Sequence, residues 1–218
     1  YKRFGVSGLT DDLYSIYCKR VYDCALWFSG NMNLTLNPKL KKNDSNVNVL
    51  LNNKDILCSL TNYVNFYTNG EIEEKDIIIE RFDRWEVGIV LSPNHKYLQV
   101  SLVNGITTIR GGKHVDNIIN QVVKKLNDVS QKKKNKVDVK PTYLKENIWI
   151  FIKCIIEEPT FDGQTKESMT TNVTNFGSKC EISDKFIDKL VKIGLLERIS
   201  SSIELKNIKL FKKKDGSK

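Results

Sequence analysis

Residues 147–156 read Asn-Ile-Trp-Ile-Phe-Ile-Lys-Cys-Ile-Ile, an apolar stretch whose one charged break is Lys153. A strand apolar on both faces of its pleat has to be covered on both sides, so this segment reads as an interior strand of a packed sheet. It is far shorter than the ~20 residues a bilayer-spanning helix needs. Ahead of it, Val115, Ile118, Ile119, Val122, Val123, Leu126 and Val129 recur at helical spacing and mark one face of a long helix. Further back, residues 76–82, 84–91 and 96–103 are rich in Ile, Val, Tyr and Trp, with a Ser92-Pro93-Asn94-His95 turn between the last two. We read those three as an antiparallel meander, and the helix with the apolar strand behind it as a β-α-β crossover.

Local signals place the remaining elements. Thr10 with Asp11 and Asp12 opens a first helix over 11–28, carried by Leu13, Ile16, Tyr17, Val21 and Ala25. Residues 47–51 alternate as a short strand, and 59–67 form a short helix before Gly70. Ser183 caps a third helix through Phe186, Ile187, Leu190, Ile193 and Leu196, which runs toward the basic end Lys212-Lys213-Lys214. The expected fold class is α/β (α+β). Its organisation is an N-terminal helical segment over 1–28, a loop or insertion over 29–46, one compact domain over 47–211 with a projecting C-terminal helix, and a basic tail over 212–218. That tail is expected to be mobile or to continue into further protein.

Composition narrows the class of partner. Thirty-five basic against 26 acidic residues give +9, with 40% hydrophobic and 28% charged residues, a globular balance with a basic tilt that excludes fibrous and wholly disordered chains. Cys18, Cys24, Cys58, Cys154 and Cys180 are odd in number and form no C-x-x-C pair, which fits a reduced intracellular compartment and gives no metal site. The start, Tyr1-Lys2-Arg3-Phe4-Gly5, has no initiator Met and no apolar signal core, so the chain reads as a piece of a longer protein.

Three features could carry chemistry. The run Lys132-Lys133-Lys134-Asn135-Lys136 would attract a phosphate backbone without reading bases, since ammonium groups lack the planar fork that recognises guanine. A solvated loop explains it equally well. Gly111-Gly112 ahead of a helix could bring bare amides to an anion, but without G-x-G-x-x-G or a P-loop pattern a turn that admits tight packing explains it better. The loop over 158–167 follows the apolar strand. There Gln164 and Lys166, two residues apart beside Gly163, can both address one phosphoryl group, although spacing alone gives only a loop. His95 and His114 read as structural, Trp27, Trp85 and Trp149 as core, and no G-x-S-x-G supplies an acyl-transfer nucleophile.

Taken in order, Val103-Asn104-Gly105, Gly111-Gly112-Lys113-His114-Val115-Asp116, Lys132 to Lys136, Trp149-Ile150-Phe151-Ile152, Glu158-Pro159-Thr160-Phe161-Asp162, Gln164-Thr165-Lys166-Glu167 and Phe176-Gly177-Ser178 resemble the eukaryotic-type DNA topoisomerase II family. The resemblance is to the transducer domain of that family's ATPase region. Arg20-Val21-Tyr22-Asp23 matches its R-x-Y-D helix at the junction with the ATPase domain, so nearly the whole chain is covered.

The resemblance implies a mostly antiparallel sheet with helices on one face and a left-handed crossover. It assigns Gln164 and Lys166 to the γ-phosphate of ATP, with Lys166 in the catalytic role, and Lys132, Lys133 and Lys134 to double-stranded DNA. ATP and Mg²⁺ would be held mainly by a neighbouring ATPase domain. The other implied partners are a cleavage core in the same chain and a second copy in a homodimer. No membrane is implied, and the location would be the nucleus. By itself the chain would be inactive, lacking the family's base, its glycine-rich nucleotide motifs and its cleavage tyrosine. Lys113 stands where the family usually has Arg and Gly163 where it commonly has Ser. A stand-alone nucleic-acid-binding module using the basic loop as a clamp is the alternative reading. The related chaperone and mismatch-repair ATPases share the fold but leave the lysine loop unexplained.

Overall fold

The computed structural model describes residues 3, 5, 8–28, 49–52, 54–55, 58–132 and 136–215, with side chains described as far as residue 208. It divides into two compact units, Tyr1–Glu71 and Ile72–Lys218. Their boundary falls within the 47–211 span expected as one domain. The 29–46 loop lies outside the described residues.

The first unit holds helix α1 (Asp11–Phe28), a short antiparallel pair β1 (Leu50–Leu51) and β2 (Lys54–Asp55), and helix α2 (Leu60–Thr68). Both helices begin where their sequence allows. Asp11 and Asp12 put negative charge on the first turn of α1, and the Ser59 hydroxyl accepts the Asn62 amide at 3.1 Å to cap α2. Asp23, on α1, is a buried carboxylate that accepts the Tyr63 hydroxyl at 2.5 Å and pairs with Lys19 at 2.9 Å and Arg20 at 3.5 Å. Without such partners a buried charge would be costly.

The second unit carries β3 (Ile78–Arg81), β4 (Trp85–Leu91), β5 (Leu98–Val103), β6 (Ile106–Thr107), β7 (Gly111–Gly112), α3 (Lys113–Gln131), α4 (Pro141–Asn147), β8 (Ile148–Cys154), β9 (Ser168–Met169), α5 (Asp184–Lys192) and α6 (Leu195–Asp215). Its main sheet has the order β3-β4-β8-β5-β6, and every pairing is antiparallel except β5 with β8. The fold is therefore mixed α/β with a mostly antiparallel sheet, as expected.

The meander is not formed. β3 and β4 make a hairpin, but β8 lies between β4 and β5, and only that central place buries both faces of so apolar a strand. Ile148, Ile150, Ile152 and Cys154 of β8 face the same core as Val115, Ile118, Val122 and Leu126 of α3, with α4, α5 and the start of α6 on that side. On the other pleat face Phe151 and Lys153 are also buried, Lys153 in register with Glu86. The parallel β5 and β8 joined through α3 are the expected β-α-β crossover.

One expected helix is two. The pattern from Phe186 to Leu196 breaks at Gly194, whose φ of 92° ends α5 and redirects the chain into α6. In α6, Leu195, Leu196 and Ile199 are buried while Leu205 and Ile208 are exposed, so the helix leaves the core as it proceeds. Trp27 and Trp85 are core. Trp149 is only partly buried, its indole N–H donating to the Lys96 carbonyl at 3.0 Å.

Candidate functional site

The segment that leaves β8 returns on itself. Phe161 bridges Met169, the Asp162 amide donates to the Ser168 carbonyl at 3.1 Å, the Ser168 amide donates to Asp162 Oδ1 at 3.1 Å, and the Thr170 amide donates to the Thr160 carbonyl at 2.9 Å. Residues 163–166 form the tip, closed by the Lys166 amide donating to the Gly163 carbonyl at 3.1 Å. Lys166 takes a left-handed backbone, φ 56°, an uncommon place for a long side chain and one that clusters at functional sites. The structure thus brings Gln164 and Lys166 onto one loop tip, Gln164 exposed and Lys166 half-buried. The Lys166 ammonium lies 5.7 Å from the centre of the Phe161 ring and has no ion-pair partner among the described residues.

The base of the loop is held by residues the sequence reading did not connect to it. β7 and β9 pair in parallel, Gly111 with Ser168 and Gly112 with Met169. Gly112 sits at φ 131°, and a Cβ there would overlap the Met169 backbone, so its glycine is required for both conformation and space. This is the tight packing expected of the Gly-Gly turn. The Arg110 amide donates to the Glu167 carbonyl at 2.9 Å, while its guanidinium pairs with Asp162 and, at 3.5 Å, with Glu167. Desolvation alone would raise the Asp162 carboxyl, but the Arg110 and Ser168 hydrogen bonds outweigh it and hold the group below the usual carboxylate range. The Lys113 ammonium donates to Asn172 Oδ1, adding a further tie. No local signal could reveal an Arg110–Asp162 pair 52 residues apart. The paired glycines were the one hint that another backbone comes close.

His114 opens α3 beneath this region. It is fully buried, with Nε2 3.3 Å from the Thr108 hydroxyl and Nδ1 without a partner, and burial drives its pKa down to about 3. It stays neutral at physiological pH, a structural histidine as expected. His95 is exposed and hydrogen-bonded, Nδ1 lying 3.2 Å from Asn147 Oδ1.

The basic cluster lies at the other end of α3. Nineteen residues at 1.5 Å each make that helix about 28 Å long. Lys132 is its exposed C-cap, and Lys133 and Lys134 lie outside the described residues. Lys132 borders a groove of about 780 Å³ whose walls mix Lys124 and Lys125 with Asp128, Asp184 and Asp188. Lys125 pairs with Asp184 and, with a smaller contribution from Lys132, holds that carboxyl below its ordinary pKa. No group of three or more His, Cys, Asp or Glu side chains suited to a metal occurs among the described residues. No helix among them is long and apolar enough to cross a membrane.

Comparison with known proteins identifies the family and the fold. A family profile described as DNA gyrase B matches residues 45–214. DNA topoisomerase 2 of Candida glabrata is 36% identical over 233 residues, covering 99% of this chain but only 15% of that protein. The crystal structure of the ATPase region of Saccharomyces cerevisiae topoisomerase II superimposes with a TM-score of 0.75 at 36% identity, over 93% of this chain and 48% of that one. That of the ATPase and transducer domains of DNA topoisomerase II from Balamuthia mandrillaris gives 0.76 at 29% identity, over 93% and 47%.

Proposed function

Because the chain belongs to the DNA gyrase B family, we propose that it is the transducer part of an ATP-dependent type II DNA topoisomerase, coupling ATP hydrolysis to strand passage through the loop that carries Gln164 and Lys166. The observation that carries this reading is the ammonium of Lys166. It stands at the tip of a braced loop, unpaired among the described residues, while both neighbouring carboxylates are already engaged by Arg110. An ammonium so placed suits the terminal phosphoryl of a nucleotide, where it would neutralise the charge that spreads over the phosphoryl oxygens during transfer. Gln164 would add a hydrogen bond from its side-chain amide. When that phosphoryl group leaves, the loop loses its anchor, and a contact that differs between ATP and ADP is what a two-state coupling element requires.

The nucleotide itself would sit mainly in an ATPase domain elsewhere in the full protein, the chain by itself being inactive. Mg²⁺ would be held mainly by that domain as well.

Lys132, Lys133 and Lys134 would contact the backbone of double-stranded DNA, adding charge without base specificity. The full enzyme would act as a homodimer in the nucleus. Similarity along 99% of the chain to type II topoisomerases weighs against a stand-alone nucleic-acid-binding module. The test is Lys166→Ala in the full-length protein. Turnover of ATP is expected to fall about 100-fold, the scale of losing one preorganised charge donor. Turnover within twofold of the parent would end the γ-phosphate assignment.

A further inference from the structure

The loop tip carries an internal competitor for its own lysine. Glu167 is the next residue after Lys166, and Asp162 stands at the other side of the same closed loop, across the Asp162–Ser168 hydrogen bonds. Two carboxylates carried on the same short loop as one ammonium are its nearest candidates for an ion pair in the chain, and an ammonium already paired is a poor ligand for an anion. Neither captures it here. Asp162 and Glu167 both pair with Arg110, and Lys166 rests over the uncharged ring of Phe161, a contact it can leave at small cost. Arg110 suits this task. Its planar fork can serve two carboxylates together, and its backbone is fixed beside the loop by the hydrogen bond its amide donates to the Glu167 carbonyl and by the β7–β9 ladder that follows.

We infer that Arg110 is a positioning residue for nucleotide turnover, keeping Lys166 available for the terminal phosphoryl by occupying the two carboxylates that flank it. This rests on the γ-phosphate reading above. Arg110 itself touches no reacting atom, and its side chain is 62% exposed, so replacing it leaves the core intact.

The experiment measures kcat and KM for ATP in the full-length protein with R110A, R110K, K166A, R110A/K166A and R110A/D162N/E167Q. Expected are a roughly tenfold lower kcat with KM held within twofold for R110A, and a smaller loss for R110K, whose point charge serves one carboxylate at a time. The double variant should be no slower than K166A alone, because Arg110 acts through that lysine. The triple variant should regain most of the lost kcat, since it removes the competitors along with the residue that restrains them. A normal R110A, losses that multiply in R110A/K166A, or no recovery in the triple variant would each overturn the inference. A normal K166A would instead remove the γ-phosphate reading on which it stands, so the two failures are told apart.

Discussion

The two ends of α3 display positive charge in opposite ways. At Lys113 the chain is laced down: a parallel two-residue ladder, a glycine with no room for a side chain, a guanidinium shared by two carboxylates, and one ammonium left over at the tip. At Lys132 the charge is a matter of number, an exposed lysine leading into a run of more, beside a groove where acids already answer part of the field. A site that must meet one phosphoryl group in one place needs geometry. A site that must hold a polymer of phosphates needs only enough cations within reach. The helix that joins them is buried along one face through Ile118, Val122 and Leu126, so each end keeps its character on a shared rigid element.

The comparison can be broken most severely at the braced end, by the roughly 100-fold loss of turnover expected of Lys166→Ala. Gly112→Ala is expected to follow. A Cβ forced against the Met169 backbone in a left-handed conformation should cost about 3 kcal/mol, the upper part of the usual range for single substitutions, read as a lowered denaturant midpoint. An unchanged midpoint would mean that the ladder is not the clamp described.

At the other end, replacing Lys132, Lys133 and Lys134 together by Ala should reduce the slope of log binding constant against log salt by about 2 to 3 for duplex DNA, near 0.9 per lost phosphate contact. An unaltered slope would remove those lysines from the DNA surface.

The smallest effect concerns pH. The imidazole of His114 holds its pKa near 3 in the folded chain against 6.5 in the unfolded chain. As pH falls below 6.5 the unfolded chain takes up a proton that the native one refuses. The stability present above pH 6.5 therefore drains away toward pH 3, by at most ~1.4 kcal/mol per pH unit. Urea midpoints measured between pH 7 and pH 5 should decline in the parent and decline less in His114→Gln; parallel curves would show that His114 is not the group responsible.

Much of this arrangement is legible in the sequence wherever the cause is local. The bounds of α1, the Ser183 cap and the apolar face of α3 are set by neighbours within a few residues, and they stand where the sequence placed them. Strand order is set by partners far apart, which is why 96–103 looked like the third strand of a meander until β8 took the place beside β4. The break between α5 and α6 was visible in principle, since an isolated glycine inside a helical pattern is a warning, and Gly194 is such a residue. The pairing of Gln164 with Lys166 came from spacing and resemblance. The arginine that braces their loop lies 52 positions from its partner, and nothing in the linear pattern joins the two.

The central place of β8 also decides when this unit can fold. Until about residue 154 has left the ribosome, β4 and β5 each lack the neighbour that fills the gap between them, and both wait with an open edge and Val, Ile and Leu side chains uncovered. Closing the sheet then spans more than forty residues of intervening chain, the kind of distant pairing that slows a nucleus. During synthesis the half-made unit is thus a natural client for chaperones, and truncation before β8 leaves material prone to aggregate rather than a smaller stable fold.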